Sequence, residues 1–428
     1  MFLTLEDPRS RIKGSRDPLG VQSAWSWFGR RLVGNLTTVT RSVREFTVLM
    51  LGRWATERLI DAERIDESGV VSTFLRVEQL CAYARVLHYD ASVRGISYVR
   101  RFLEQPGDHL TISDERGHSI LTDQRLYGIW GLFTVAGRAS GLINEGPIGL
   151  TPRAREFVES SYAPRIAPVR KTLLSLAADG GEINRRRNTP VLRALAEILP
   201  PELTPEEVRF YAEHLRDLRH GHDGMSPGRQ ASLAGLISEH WAPDESLDRS
   251  LVRRLTEKAE PVDHDLAHRL RRADRLESLL APAEAAFGLV IARDGQKPAS
   301  VAEELRAKWG PTLPYTGADW DLVYGDIVAA VGQDLADFMG TADGALARGD
   351  YTGLITVLLA WNHRVMANRG AGPWVRLGED GRLSVRFRGD DPWLPDADEL
   401  HEYWRNPYFI DSLAEIVWQL DAGRDPWQ

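Results

Sequence analysis

The chain is expected to be mainly α-helical: an N-terminal helical domain (1–164), a central helical array (165–350) and a small α+β C-terminal subdomain (351–428). Three observations carry this. Apolar residues recur at three/four spacing along most of the 428 residues, the period of helices that bury one face. Gly180-Gly181, Pro200-Pro201, Gly221 to Pro227, Pro243 and Pro261 punctuate the pattern as short connections between helices do. Only residues 374–387 alternate strongly enough to predict a β-hairpin. No internal period of roughly 30–45 residues is evident, which excludes a regular solenoid.

Composition sets further bounds. Hydrophobic residues make up 43% and charged residues 27%, as in ordinary globular proteins. A single cysteine, Cys81, excludes an intramolecular disulfide framework and a four-cysteine zinc site. Glu6 and Asp7 come early and no apolar stretch reaches a bilayer span, so the cytoplasm is the expected compartment, without membrane contact. A net charge of −8 argues against wholesale coating of nucleic acid. The charge is uneven, with a basic head before Ile60 and an acidic tail after Asp390, which suggests two partners or contact between chain ends.

In chain order, residues 1–20 hold two Asp-Pro steps and two glycines, and are expected to be extended or turned. Arg9, Arg11, Lys13 and Arg16 make this a candidate arm for nucleic acid or an acidic partner. Lys13-Gly14-Ser15 is no phosphate loop, because no glycine-rich run precedes the lysine. Trp25, Trp27 and Phe28 open a helical region broken near Gly34-Asn35. The next helix spans Ser42 to Ile60 and buries Phe46, Leu49, Met50, Trp54 and Leu59. Ser72 precedes another, with Phe74, Val77, Cys81 and Ala84 on one stripe, which makes Cys81 an inert core thiol.

Residues 121–160 are the best-specified module. Asp123 is a helix cap, and Leu126, Ile129, Trp130 and Phe133 follow at helical spacing. Gly137 suits a turn or a tight helix contact, and Arg138 to Ile143 reads as a second, short helix. Asn144-Glu145-Gly146-Pro147 is a turn, Ile148 and Leu150 a short strand, and Thr151-Pro152 the start of a helix with Phe157 and Val158 facing inward. This order, with its Gly-Leu-Ile, turn and Leu-Thr-Pro-Arg run, resembles a winged helix-turn-helix. The resemblance implies DNA contact through Arg138 and Ser140 on the short helix, with Arg153 and Arg155 near phosphates. The short helix carries only one arginine, where firm duplex binding needs several phosphate contacts. A protein-docking or structural winged helix is therefore the competing expectation.

From Val169 to Phe338 the chain is expected to be almost uniformly helical, with capping boxes at Thr204 to Glu207 and at Ser300 to Glu303. His214, His220 and His222 beside Asp223, and His264 with His268 one turn on, are candidate metal ligands, but neither group has a second cluster at ligand spacing. Solvated surface histidines are the alternative. Arg185-Arg186-Arg187 is a solvated loop or a phosphate contact. The last sixth of the chain holds Trp361, Trp374, Trp393, Trp404, Trp418 and Trp427. Its hairpin sets Val375, Leu377, Leu383, Val385 and Phe387 on one parity around Asp380-Gly381, and Arg376, Arg382, Arg386 and Arg388 on the other. Aromatics beside arginines suit base stacking or a protein interface, and a subdomain docked on the helical array is expected. A closing helix runs from Asp411 to Leu420.

No phosphate loop, dinucleotide fingerprint, nucleophile elbow, kinase signature or restriction-type nuclease arrangement is present in the sequence. LEDPRSRIKGSRDPLG at the start, the 121–160 module and WRNPYFIDSL near the end together resemble uncharacterised helical proteins encoded in bacterial anti-phage defence clusters. That resemblance implies a subunit working beside a separate ATPase or nuclease. The expected function is a non-catalytic, DNA-associated or scaffolding subunit of a multi-protein complex, with protein partners, duplex DNA as a further partner and no cofactor. The alternatives are a metal-dependent hydrolase or nuclease using the histidines, and a pure protein adaptor.

Overall fold

A computed structural model describes residues 17–424 apart from 147, 221–227, 229, 314–320, 388–391 and 393. From the N-terminus the helices are α1 (Gln22–Leu32), α2 (Val43–Asp61), α3 (Val70–Tyr89), α4 (Ile96–Glu104), α5 (Gln124–Tyr127), α6 (Ile129–Ala139), α7 (Pro152–Ser161), α8 (Ala163–Ile166), α9 (Arg170–Asp179) and α10 (Pro190–Ile198). They continue with α11 (Pro205–Tyr211), α12 (Ala231–His240), α13 (Arg249–Ala259), α14 (His264–Ile291), α15 (Pro298–Trp309), α16 (Asp321–Val331), α17 (Gln333–Ala347), α18 (Tyr351–Asn368), α19 (Ala397–Glu402) and α20 (Ile410–Ala422). Strands β1 (His109–Ile112) and β2 (Gly181–Asn184) form one antiparallel pair, and β3 (Val375–Leu377) and β4 (Leu383–Val385) another. The protein is mainly α. Among the described residues no helix is long and apolar enough to cross a membrane.

The chain divides into two compact units, each built from two stretches. One takes the chain up to Leu32 with Ser246–Tyr408; the other takes Val33–Glu245 and the chain from Phe409 on. The boundaries expected at 164/165 and 350/351 fall inside these units. Within the first unit α1 packs on α14, and within the second α20 packs on α12. Both pairings join segments far apart in the chain, which local patterning does not display.

In the unit around α2 and α3, those two helices pack side by side and are buried on nearly every face. A helix apolar all round belongs in a core. Phe46, Leu49, Met50, Trp54 and Leu59 are buried as expected, each stabilising the fold by about 1.5–3 kcal/mol relative to exposure. Ser42 caps α2 in a reciprocal box with Glu45. Cys81 is fully buried and its thiol is pushed up by that burial. Helices α6, α7, α9 and α10 surround the pair. The β1–β2 ladder, with Leu110 opposite Ile183, breaks the uniformly helical reading of residues 169–338. Arg185 follows β2 and donates to Leu103 O at 2.9 Å, while Arg186 pairs with Asp108 at 3.3 Å.

In the other unit α14, 28 residues long, is the axis against which α1, α13 and α15 to α18 pack. The hairpin has the expected register, Val375 opposite Val385 and Leu377 opposite Leu383, with Gly381 at φ +70° in its turn. Its edge is taken up locally: Leu383 N donates to Gln296 O at 2.7 Å and Gly295 N to Leu383 O at 2.8 Å. The capping box expected at Ser300 is absent, because α15 already starts at Pro298 and Ser300 lies inside it. Two tryptophans of this unit serve as internal ties, while Trp393, Trp427 and Arg388 lie outside the described residues. Trp309 Nε1 donates to Pro395 O at 2.9 Å, Trp361 Nε1 to Leu19 O at 2.7 Å, and Trp361 stacks on Phe338.

Candidate functional site

Residues 121–160 contain two short helices, a narrow hairpin and a third helix, and differ from expectation twice: the first helix breaks at Gly128, and the short helix after Gly137 is absent. The Asp123 carboxylate caps α5 through Leu126 N at 3.0 Å, and the chain bends at Gly128 into α6. Helix α6 runs straight through Gly137, where an added Cβ would lie 2.5 Å from Leu49 Cδ2, so that glycine serves close packing on α2 rather than a turn. The separate short helix over Arg138 to Ile143 does not form. Arg138 and Ala139 end α6, and Gly141 at φ +68° reverses the chain. Ile143 then bridges Leu150, Thr151 N donates to Leu142 O at 3.1 Å, and Thr151 caps α7 with Pro152 in its first turn.

The arginines nominated for phosphate gather near this hairpin, and each is engaged within the fold. Arg138 Nε donates to Asn144 O at 3.3 Å. Arg153 pairs with Glu213, and Arg155 with Glu57 at 2.7 Å. Glu57 also accepts from Leu150 N at 2.7 Å, so it fixes the hairpin and α7 together. Ser140 is fully buried, its hydroxyl taking Asn35 Nδ2 at 3.1 Å, and it therefore presents nothing to a groove. Arg9, Arg11, Lys13, Arg16 and His222 lie outside the described residues.

Helices α5 and α6 also expose large apolar side chains, beside exposed Arg125. Leu126 is 54%, Tyr127 45% and Val135 63% exposed. Gly131, one turn before Val135, sits under α5: a Cβ there would lie 2.2 Å from Leu126 O and 2.6 Å from Arg125 O. Gly131→Ala is expected to cost about 1–3 kcal/mol by forcing α5 off α6. Gly146→Ala, whose Cβ meets only Ile148 O at 4.0 Å, is the neutral control in urea denaturation.

The rings of His214 and His220 lie side by side, centroids 4.8 Å apart, but the described histidines form no ligand set. His214 is fully buried in a π turn, with Nδ1 2.8 Å from Ser140 O, and burial lowers its pKa to about 4, so it stays neutral. His220 Nε2 lies 3.5 Å from Glu213, and His264 Nδ1 lies 2.9 Å from Glu260, with His268 one turn further along α14. Among the described residues no group of three or more His, Cys, Asp or Glu side chains is placed to hold a metal ion.

At the start of α6 lies a cavity of about 370 Å³, walled by α2 and the segment before it, α3, and the loop before α4. Its charged lining is Arg41, Glu45, Glu78, Arg85 and Arg94. Glu45 accepts from Arg41 N at 3.2 Å and Ser42 N at 3.3 Å, and pairs with Arg94 at 2.9 Å. Glu78 Oε1 accepts from Ile129 N, the first residue of α6, at 2.7 Å, and Oε2 from Gln124 Nε2 at 2.9 Å. Burial raises Glu78 to about 7 against these hydrogen bonds, and burial also raises Glu45 against the charge of Arg94. The sequence reading passed over these residues. The signal was present, since Glu78, Ala82 and Arg85 form an i, i+4, i+7 line on a deeply buried helix, where isolated charges are uncommon.

No protein-family model, curated protein or solved structure matches the chain. Function is therefore argued from geometry.

Proposed function

We propose that the chain is a non-catalytic subunit of a multi-protein assembly that docks on a partner protein through the outer face of α5 and α6. One observation carries this reading: Leu126, Tyr127 and Val135 are exposed on that face, while Arg138, Arg153 and Arg155 are spent on bonds within the fold. Exposed apolar and aromatic side chains on neighbouring elements mark interaction surfaces, whereas a duplex-binding face carries cations available to phosphate. The resemblance of the chain's opening and closing stretches to defence-cluster proteins points to the same class of role.

The test places a photo-crosslinking benzoyl-phenylalanine at position 126 or 135, and at exposed Glu197 on α10 as a control, in the native cell. A discrete protein adduct at 126 and 135, absent at 197, is the expected result. Equal adducts at all three positions, or none at 126 and 135, would overturn the reading. Duplex binding that weakens roughly a thousandfold between about 50 and 200 mM salt, and falls in Arg138→Ala with Arg153→Ala, would replace it with the DNA-associated alternative.

A further inference from the structure

Glu78 is a buried carboxylate with few partners. It lies on α3, is 2% exposed although it lines the cavity, and accepts two hydrogen bonds, from Ile129 N at 2.7 Å and from Gln124 Nε2 at 2.9 Å. A carboxylate offers roughly four acceptor sites, so the anion is better served by water than by this corner. Arg94, from the loop before α4, is bonded to Glu45 at 2.9 Å and to Val39 O at 2.6 Å, and acts on Glu78 only through its charge. Glu45, from α2, adds a like charge, and Cys81 and Arg85 share the helix of Glu78. Burial pushes the Glu78 carboxyl up to about 7; the bonds from Gln124 and Ile129 and the charge of Arg94 oppose the rise, and the charge of Glu45 adds to it.

The same two bonds shut the corner between α5 and α6. Gln124 is the first residue of α5, Ile129 the first of α6, and a Cβ on Gly128 between them would lie 2.8 Å from both Glu78 oxygens. The chain therefore lies directly on the carboxyl, and full hydration of its oxygens requires the corner to lift. We propose that Glu78 is a proton-operated latch on this corner, holding it shut while the carboxyl keeps its proton and letting it lift more often once the proton is lost. Burial fixes the direction. In the lifted corner the carboxyl is solvated and ionises near the usual 4.5, so between that value and about 7 the shut corner holds a proton that the lifted one has released. Lifting is opposed at acid pH, becomes easier as pH rises through this interval, and levels off above it. Leu126, Tyr127 and Val135 ride on these two helices, so the latch sets how rigidly they are presented. That use rests on the docking reading; the latch itself does not.

Amide hydrogen exchange of the full chain is followed at residues 124–139 and, as a control in the same unit, at α12, from about pH 5.5 to about pH 8, with the intrinsic rate divided out. Opening of 124–139 is expected to be about thirtyfold more frequent at the upper end, while α12 changes by less than about threefold. In Glu78→Gln, which keeps the shape and an acceptor for Ile129 N, the dependence is expected to vanish. The unsubstituted protein is read first, so its profile decides even where the variant fails to fold. A flat profile at 124–139, an equal rise in α12, or an undiminished rise in Glu78→Gln would each overturn the latch. Exchange is read without a partner and cross-linking at 126 and 135 at one pH, so failure of the docking reading registers separately.

Discussion

Arg44→Met is expected to destabilise the unit built on α2 and α3 by about 3–5 kcal/mol. Arg44 is fully buried on α2 and forms an ion pair with buried Glu207. Its other donors are taken by Pro200 O at 2.8 Å and Glu202 O at 2.7 Å. Glu207 in turn accepts from Tyr162 Oη at 2.8 Å and from Thr204 N at 2.8 Å, closing the capping box of α11. Burial, the largest influence on Arg44, disfavours its charge, and the charge and hydrogen bond of Glu207 override it, so its pKa is held above the ordinary value. Methionine fills a similar volume but leaves a buried carboxylate with no cation and two carbonyls with no donor. The cost therefore comes from what is left behind more than from the pair itself. Adding Glu207→Gln is expected to restore more than half of the loss, because glutamine still closes the capping box and carries no charge. Urea unfolding of both variants gives the comparison, and a double variant no more stable than Arg44→Met would show that the charge left behind is not what costs.

What could be read in advance follows the range of the interactions concerned. Helix α2 was legible because Ser42 and the Phe46, Leu49, Met50 spacing lie within a few turns, and α7 because Thr151-Pro152 is a local start signal. The register of β3 and β4 was legible because Asp380-Gly381 sits between strands of matching parity. Interactions between distant segments were not. The four residues of β1 carry no strand signal without β2 some seventy residues later, and the two-unit division depends on α1 meeting α14 and α20 meeting α12. Local competition explains the other differences: Pro298 starts α15 ahead of Ser300, and nothing before Gly141 stops α6. At the cavity, Glu78 and Arg85 were visible as charges on an apolar helix, but Arg94 and Arg41 reach them only through the fold.

The stability of the α14 unit is expected to fall as pH rises from about 4.5 to about 7, and Glu277 is the residue to which the effect is assigned. Its carboxylate is fully buried on α14 and accepts from Arg405 N at 2.6 Å, Asn406 N at 3.0 Å, Asn406 Nδ2 at 3.1 Å and Tyr408 Oη at 3.0 Å. It thus pins the Arg405 to Tyr408 stretch, in which Tyr408 holds a left-handed φ of +46°. Burial first, and then the charge of neighbouring Glu284, raise its pKa to about 7, while the hydrogen bonds from Arg405 and Asn406 oppose the rise. With the folded pKa above the unfolded one, the folded state keeps the proton that the unfolded state has already released. Stability is therefore full below the unfolded value near 4.5, declines through the interval up to about 7, and levels off above it. The span corresponds to about 3 kcal/mol. Glu402, in the same unit, is shifted the other way and gives up its contribution only at more acid pH, so the optimum falls on the acid side of neutrality. Glu277→Gln removes the titration while keeping the shape and is expected to flatten the slope. Glu277→Leu leaves the amides of Arg405 and Asn406 and the Tyr408 hydroxyl without their acceptor and is expected to cost about 3–5 kcal/mol across the whole pH range. Chemical denaturation at a series of pH values separates the two variants, and a Glu277→Gln protein with the parent's slope would transfer the effect to Glu284, whose pKa burial also raises.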